Sequence, residues 1–122
     1  MVRNMPATLV WGKEFQLKNV TNPSRERQQE VVGVDGGTEF LGWSSVEEVK
    51  SLAERHGVDR EAWPVYPDCE IEGDVPLEDA QKRSAALRIA LEGIDSRVVE
   101  EDYWLRFILR LLRDGNSFFI MV

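Results

Sequence analysis

Cysteine, histidine and long apolar runs are all scarce in this chain, and each scarcity closes off a class of protein. Cys69 is the single cysteine, so no disulfide forms within the chain, and a reducing compartment is the simpler setting. His56 is the single histidine. Zinc normally takes three or four nitrogen or sulfur ligands, and Cys69 with His56 supply two. No apolar run approaches the ~18 residues of a membrane span. The opening Met1–Pro6 shows no apolar segment ahead of a small-residue cleavage site, so a cytoplasmic protein with no membrane partner is expected. Repeats and low-complexity tracts are absent too, which argues against a solenoid or a linker-joined pair.

What is present fits one globular domain over residues 1–122, with 43% apolar and 30% charged residues. A chain of this length buries roughly 65% of its unfolded surface and stands without staples. The net charge of −7 is unevenly spread. Residues 1–29 balance at +3, residues 30–79 at −11 and residues 80–122 at +1. An acidic middle repels the phosphates of nucleic acid. It suits a basic protein partner, or serves solubility alone.

Secondary structure follows from pattern. Thr8–Trp11 and Phe15–Lys18 read as short strands around Gly12-Lys13. Val31, Val32 and Val34 precede Asp35-Gly36-Gly37, and Phe40, Leu41 and Trp43 follow, which predicts a hairpin whose glycines supply positive φ angles. Ser45 with Glu48 forms a capping box for a helix carrying Val46, Val49, Leu52 and Ala53, ended by Gly57 and Val58. Pro64 and Pro67 break any helix around Trp63-Pro64-Val65-Tyr66-Pro67. A second helix is predicted from about Pro76 to Glu92, with Leu77, Ala80, Leu87, Leu91 and Ile94 on one face. A third is predicted from Val99 to Arg113, opened by Glu100, Glu101 and Asp102, with Tyr103, Trp104, Phe107, Ile108, Leu111 and Leu112 as its buried face. Phe118–Val122 reads as a strand buried on both faces. The expected fold is α+β: a single-domain two-layer sandwich with an antiparallel or mixed sheet of about five short strands and three helices on one face.

No constellation of residues declares a chemistry. Asp68–Asp79 places carboxylates at positions 1, 3, 5, 7 and 12 of a calcium-type loop, with Gly73 at position 6. Glu at positions 3 and 5, Asp at position 12 and the prolines where a helix should enter all count against a cation, so no metal is predicted. Cys69 lies between Asp68 and Glu70, which raise a thiol pKa and disfavour a nucleophile. Gly33–Gly37 lacks the Lys-Ser/Thr ending of a phosphate loop. Arg106, Arg110 and Arg113 form a basic stripe, best read as a solvated face with an Asp102–Arg106 pair. Trp63 and Tyr66, held by prolines beside an acidic segment, are material for a protein-binding hot spot, or equally a lid over the core.

Two functions of different class follow. The first is a non-catalytic binding module, an acidic adaptor or inhibitor that meets a basic protein through Trp63, Tyr66, Asp68, Glu70, Glu72 and Asp74. Bacterial immunity proteins, which neutralise nuclease toxins with acidic surfaces, exemplify that character by analogy. The second is a small enzyme or ligand-binding domain with a pocket between sheet and helices, using Asp68, Glu70, Asp74 and His56. The first is preferred, because no catalytic residues and no cofactor motif stand out.

Overall fold

The computed structural model describes residues 6–21, 27–66 and 75–122. In chain order these form strands β1 (Pro6–Gly12), β2 (Phe15–Thr21), β3 (Arg27–Gly33) and β4 (Gly37–Gly42), then helix α1 (Trp43–Glu54) and a 3-10 turn at Arg60–Ala62. Strand β5 (Val65–Tyr66), helices α2 (Val75–Glu92), α3 (Ser96–Glu101) and α4 (Tyr103–Arg113), and strand β6 (Ser117–Met121) complete it.

β1 is apolar on both faces, burying Ala7 and Leu9 on one and Val10 on the other, as an interior strand must. It pairs antiparallel with β4 on one side and with β6 on the other. β5 joins β6 in parallel, giving a mixed four-stranded sheet of order β4-β1-β6-β5. β2 and β3 form a separate antiparallel ladder. The α+β expectation therefore holds, and so does the buried C-terminal strand: Phe118, Phe119 and Ile120 are all fully buried. One sheet face, carrying Leu9, Leu41, Phe118 and Ile120, packs against Val46 and Val49 of α1, Leu87 and Leu91 of α2, and Leu105 and Ile108 of α4. The other face carries Val10, Tyr66 and Phe119, and meets Leu77 and Ala80 of α2 together with Phe15 and Val31 of the two-stranded ladder.

The β5 side of the sheet is closed by a serine. β5 is two residues long and, among the described residues, pairs with Ile120 and Met121 of β6, which leaves the peptide groups of Phe118 beyond its reach. Ser84 of α2 fills that place. Its hydroxyl accepts from the Phe118 N–H at 3.0 Å and donates to the Phe118 carbonyl at 3.1 Å. A hydroxyl can do both at once, so one side chain stands in for a strand residue.

Three local expectations need correction. β3 and β4 do not form a hairpin; they belong to different sheets. Val34 instead bonds across to Lys13 and Glu14, at 2.8 and 2.9 Å. The positive φ falls on Asp35, at 53°. Gly33 and Gly36 are needed because a Cβ on either would lie 1.9 or 1.8 Å from the Trp11 carbonyl oxygen. Glycine here permits backbones to touch.

At α1, the helix starts at Trp43 with Gly42 as N-cap, so Ser45 lies in the first turn and caps nothing. Its other end matches expectation. Gly57 takes φ 90°, the Val58 N–H bonds to the Ala53 carbonyl at 3.0 Å, and the Gly57 N–H bonds to Glu54 at 3.1 Å. These are the two bonds of a Schellman motif, and Val58 is its buried follower.

The third predicted helix is two helices. Asp102 leaves helical geometry (φ −111°, ψ 121°), and its carboxylate accepts from the Leu105 N–H at 2.8 Å as the N-cap of α4. A side chain spent on capping is not offered to Arg106, which donates to the Glu100 carbonyl instead. α2 runs as expected, and its apolar stripe is buried throughout.

Candidate functional site

Asp59 turns the chain inward by accepting from the Glu61 N–H at 2.9 Å, and this directs Trp63 into the core. Trp63 is 2% exposed and packs edge-on to Phe118 at 6.3 Å between ring centres. Tyr66 is buried as well, and its hydroxyl donates to Asp79 on α2. The described geometry therefore places both aromatics as the lid, not as an exposed patch. Asp68, Glu70, Glu72 and Asp74 lie outside the described residues, as does Cys69.

Asp79 also accepts from Arg83 Nε at 2.7 Å, and Arg83 reaches back to the Glu61 carbonyl. The Tyr66 hydrogen bond, with Arg83 adding to it, holds the Asp79 carboxyl below its ordinary value of 3.8 against the opposing effect of desolvation. This cluster ties α2 to β5 and the 3-10 turn.

An open groove among the described residues lies elsewhere, between α1 and α3. There Glu47, Glu48, Ser51, Leu52, Arg55 and His56 face Val98, Glu101 and Asp102 across an open groove of about 630 Å³. The Schellman turn at Gly57 ends one wall. Asp95, which accepts from the Arg97 N–H at 2.9 Å, starts the other. Arg60 donates to Glu47 and, at 2.8 Å, to Ser51 Oγ, while Lys50 stands 3.9 Å from Glu47. Asp102 is occupied by its cap.

The side-chain carboxylates of Glu48 and Glu101 are exposed and have no ion pair or hydrogen bond among the described residues. Comparison with known proteins supplies no template. No family model, no curated protein and no solved structure matches this chain. The groove must be read from its chemistry. Glu47 is met by Arg60 and Lys50 and Asp102 by its cap, which leaves the carboxylates of Glu48 and Glu101 against Arg55 beside the exposed His56, a small negative surplus that favours a cation. No group of three or more metal-ligating side chains occurs among the described residues, and no helix there is long and apolar enough to cross a membrane.

Sequence pattern missed this site because Glu100-Glu101-Asp102 reads as the acidic first turn of one long helix. The available signal was Asp102 itself, an excellent N-cap three residues before Leu105. The aromatic face expected to be buried on this helix is only partly so. Trp11, Trp104 and Phe107 are half-buried, with Phe107 edge-on to Trp11 at 5.4 Å and to Trp104 at 5.7 Å. Tyr103 stacks on Phe107 at 6.4 Å and is exposed.

Proposed function

We propose that the chain is a non-catalytic protein-binding module, an adaptor or inhibitor that holds a basic segment of a protein partner in the groove between α1 and α3. The observation that supports it is the pair Glu48 and Glu101, contributed by two helices to one groove and lacking any cation of their own among the described residues. A lysine or arginine placed there pairs with exposed carboxylates, so each pair contributes only about 0.2–1 kcal/mol and binding needs several such contacts. Binding of this kind weakens as salt rises.

The test captures partners from lysate of the source organism at low salt, using the wild type and the Glu48→Lys, Glu101→Lys double variant in parallel. One basic protein, released by high salt and absent from the variant, supports the reading. A partner retained equally by a folded variant moves binding to another surface.

A second reading draws on His56. It shares the groove with four carboxylates, and convergent titratable groups in a concavity are what a small-molecule site requires. Chemical shifts confined to groove residues on adding small organic cations would favour it over the protein partner.

A further inference from the structure

Among the described residues, the opposite side of the sheet has no counterpart to Ser84. β4 pairs with β1 in unbroken register from Gly37↔Trp11 to Gly42↔Pro6, and among the described residues nothing bonds to its outer edge. Natural edges are usually guarded by charged side chains, proline, a bulge or a covering segment, and of these β4 has one half-buried charge, Glu39. The strand Gly37-Thr38-Glu39-Phe40-Leu41-Gly42 has neither proline nor lysine, and its continuous pairing leaves no bulge. It also carries Phe40, 76% exposed and the most exposed large apolar side chain among the described residues.

We propose that β4 is the interface of a two-fold dimer, pairing antiparallel with β4 of a second copy and setting Phe40 opposite Phe40 of that copy. The register follows from ladder geometry. Outward-pointing peptide groups alternate along a strand, and directly opposed residues in an antiparallel pair are always of the same kind. A two-fold axis must therefore pass through a residue, not between residues. Through Glu39 it would oppose two carboxylates, which is destabilising. Through Thr38 or Leu41 it would leave each Phe40 facing a glycine. Through Phe40 it opposes two aromatic rings, sets Glu39 against Leu41 and Thr38 against Gly42, and closes isologously.

The same strand offers little to a charged partner, since Glu39 is its one ionised side chain. That favours a second copy over a basic segment. A single short ladder buries less than a standard interface, so the association is transient. Two chains of net charge −7 repel one another, so added salt strengthens the pairing by screening. This is opposite in sign to the salt response expected of a basic partner in the α1–α3 groove, and the two readings fail independently.

The test is sedimentation equilibrium across a concentration series reaching ~1 mM, the range of weak association, at low and high salt. The wild type is expected to show monomer and dimer in exchange, with more dimer at high salt. Phe40→Lys is expected to weaken the dimer at least ~10-fold, since it opposes like charges across the axis, with its circular dichroism unchanged. Register is read separately by oxidative cross-linking in a Cys69→Ser background. Phe40→Cys should cross-link rapidly and Glu39→Cys slowly. A monomer at every concentration and salt overturns the proposal, as does a dimer indifferent to Phe40→Lys, or cross-linking of Glu39→Cys at the rate of Phe40→Cys.

Discussion

The two edges of the four-stranded sheet solve one problem in opposite ways. On the β5 side the strand is too short, and the helix behind it supplies Ser84 to satisfy the Phe118 peptide, while Trp63 and Tyr66 cover the gap with aromatic surface. On the β4 side the strand is long enough, yet nothing among the described residues covers it and a phenylalanine stands in solvent. An edge closed from within contributes to the stability of the monomer. An open edge adds nothing there and is available for pairing.

The contrast can be broken most severely at Phe118. Removing its ring by Phe118→Ala leaves a void against Trp63 and should lower unfolding free energy by about 3–5 kcal/mol in urea denaturation. Ser84→Ala is next. It strands a buried N–H and a buried carbonyl, so a loss of about 1–3 kcal/mol is expected. A loss near zero would mean that another group closes this edge.

Asp79 gives a smaller, pH-dependent effect on the same side. Its folded-state carboxyl lies below 3.8, so the folded form binds the proton less tightly than the unfolded chain does. The stability it contributes is present above 3.8 and disappears as pH falls through the lower folded value. Thermal melts of wild type and Asp79→Asn should therefore differ at neutral pH and converge in acid. With the Asp79 side chain 43% exposed, solvent screening keeps the difference below ~1 kcal/mol. The smallest effect belongs to the open edge: Phe40→Thr should change stability by less than ~0.5 kcal/mol. A large loss would show that β4 is buttressed after all.

These edges also mark how far the fold was legible in sequence. α2, the glycine end of α1 and the buried strand at Phe118–Ile120 were readable because period and cap coincide within one segment. The path from β3 to β4 was not. Gly33 and Gly36 look like turn residues, whereas they are small because the Trp11 backbone, more than twenty positions away, passes against them. Asp102 was hidden for a similar reason: acidic residues suit both the interior of a first turn and a cap, and only tertiary packing decides between them. As for the site, neither the burial of Trp63 nor the meeting of Glu48 with Glu101 has a local signature, since both depend on how α1, α3 and β6 are assembled.

The placement of β6 has a consequence for the order in which the molecule comes together. β1 and β4 are close in sequence and can pair while the chain is still being made, but the strand that must lie on the other flank of β1 is specified more than a hundred residues later. Contacts of such long separation are slow to form. Until residues 117–121 emerge from the ribosome, β1 is itself an exposed edge carrying Leu9 and Val10. The nascent chain is most vulnerable to mispairing in that interval, and β6 acts as the bolt that ends it.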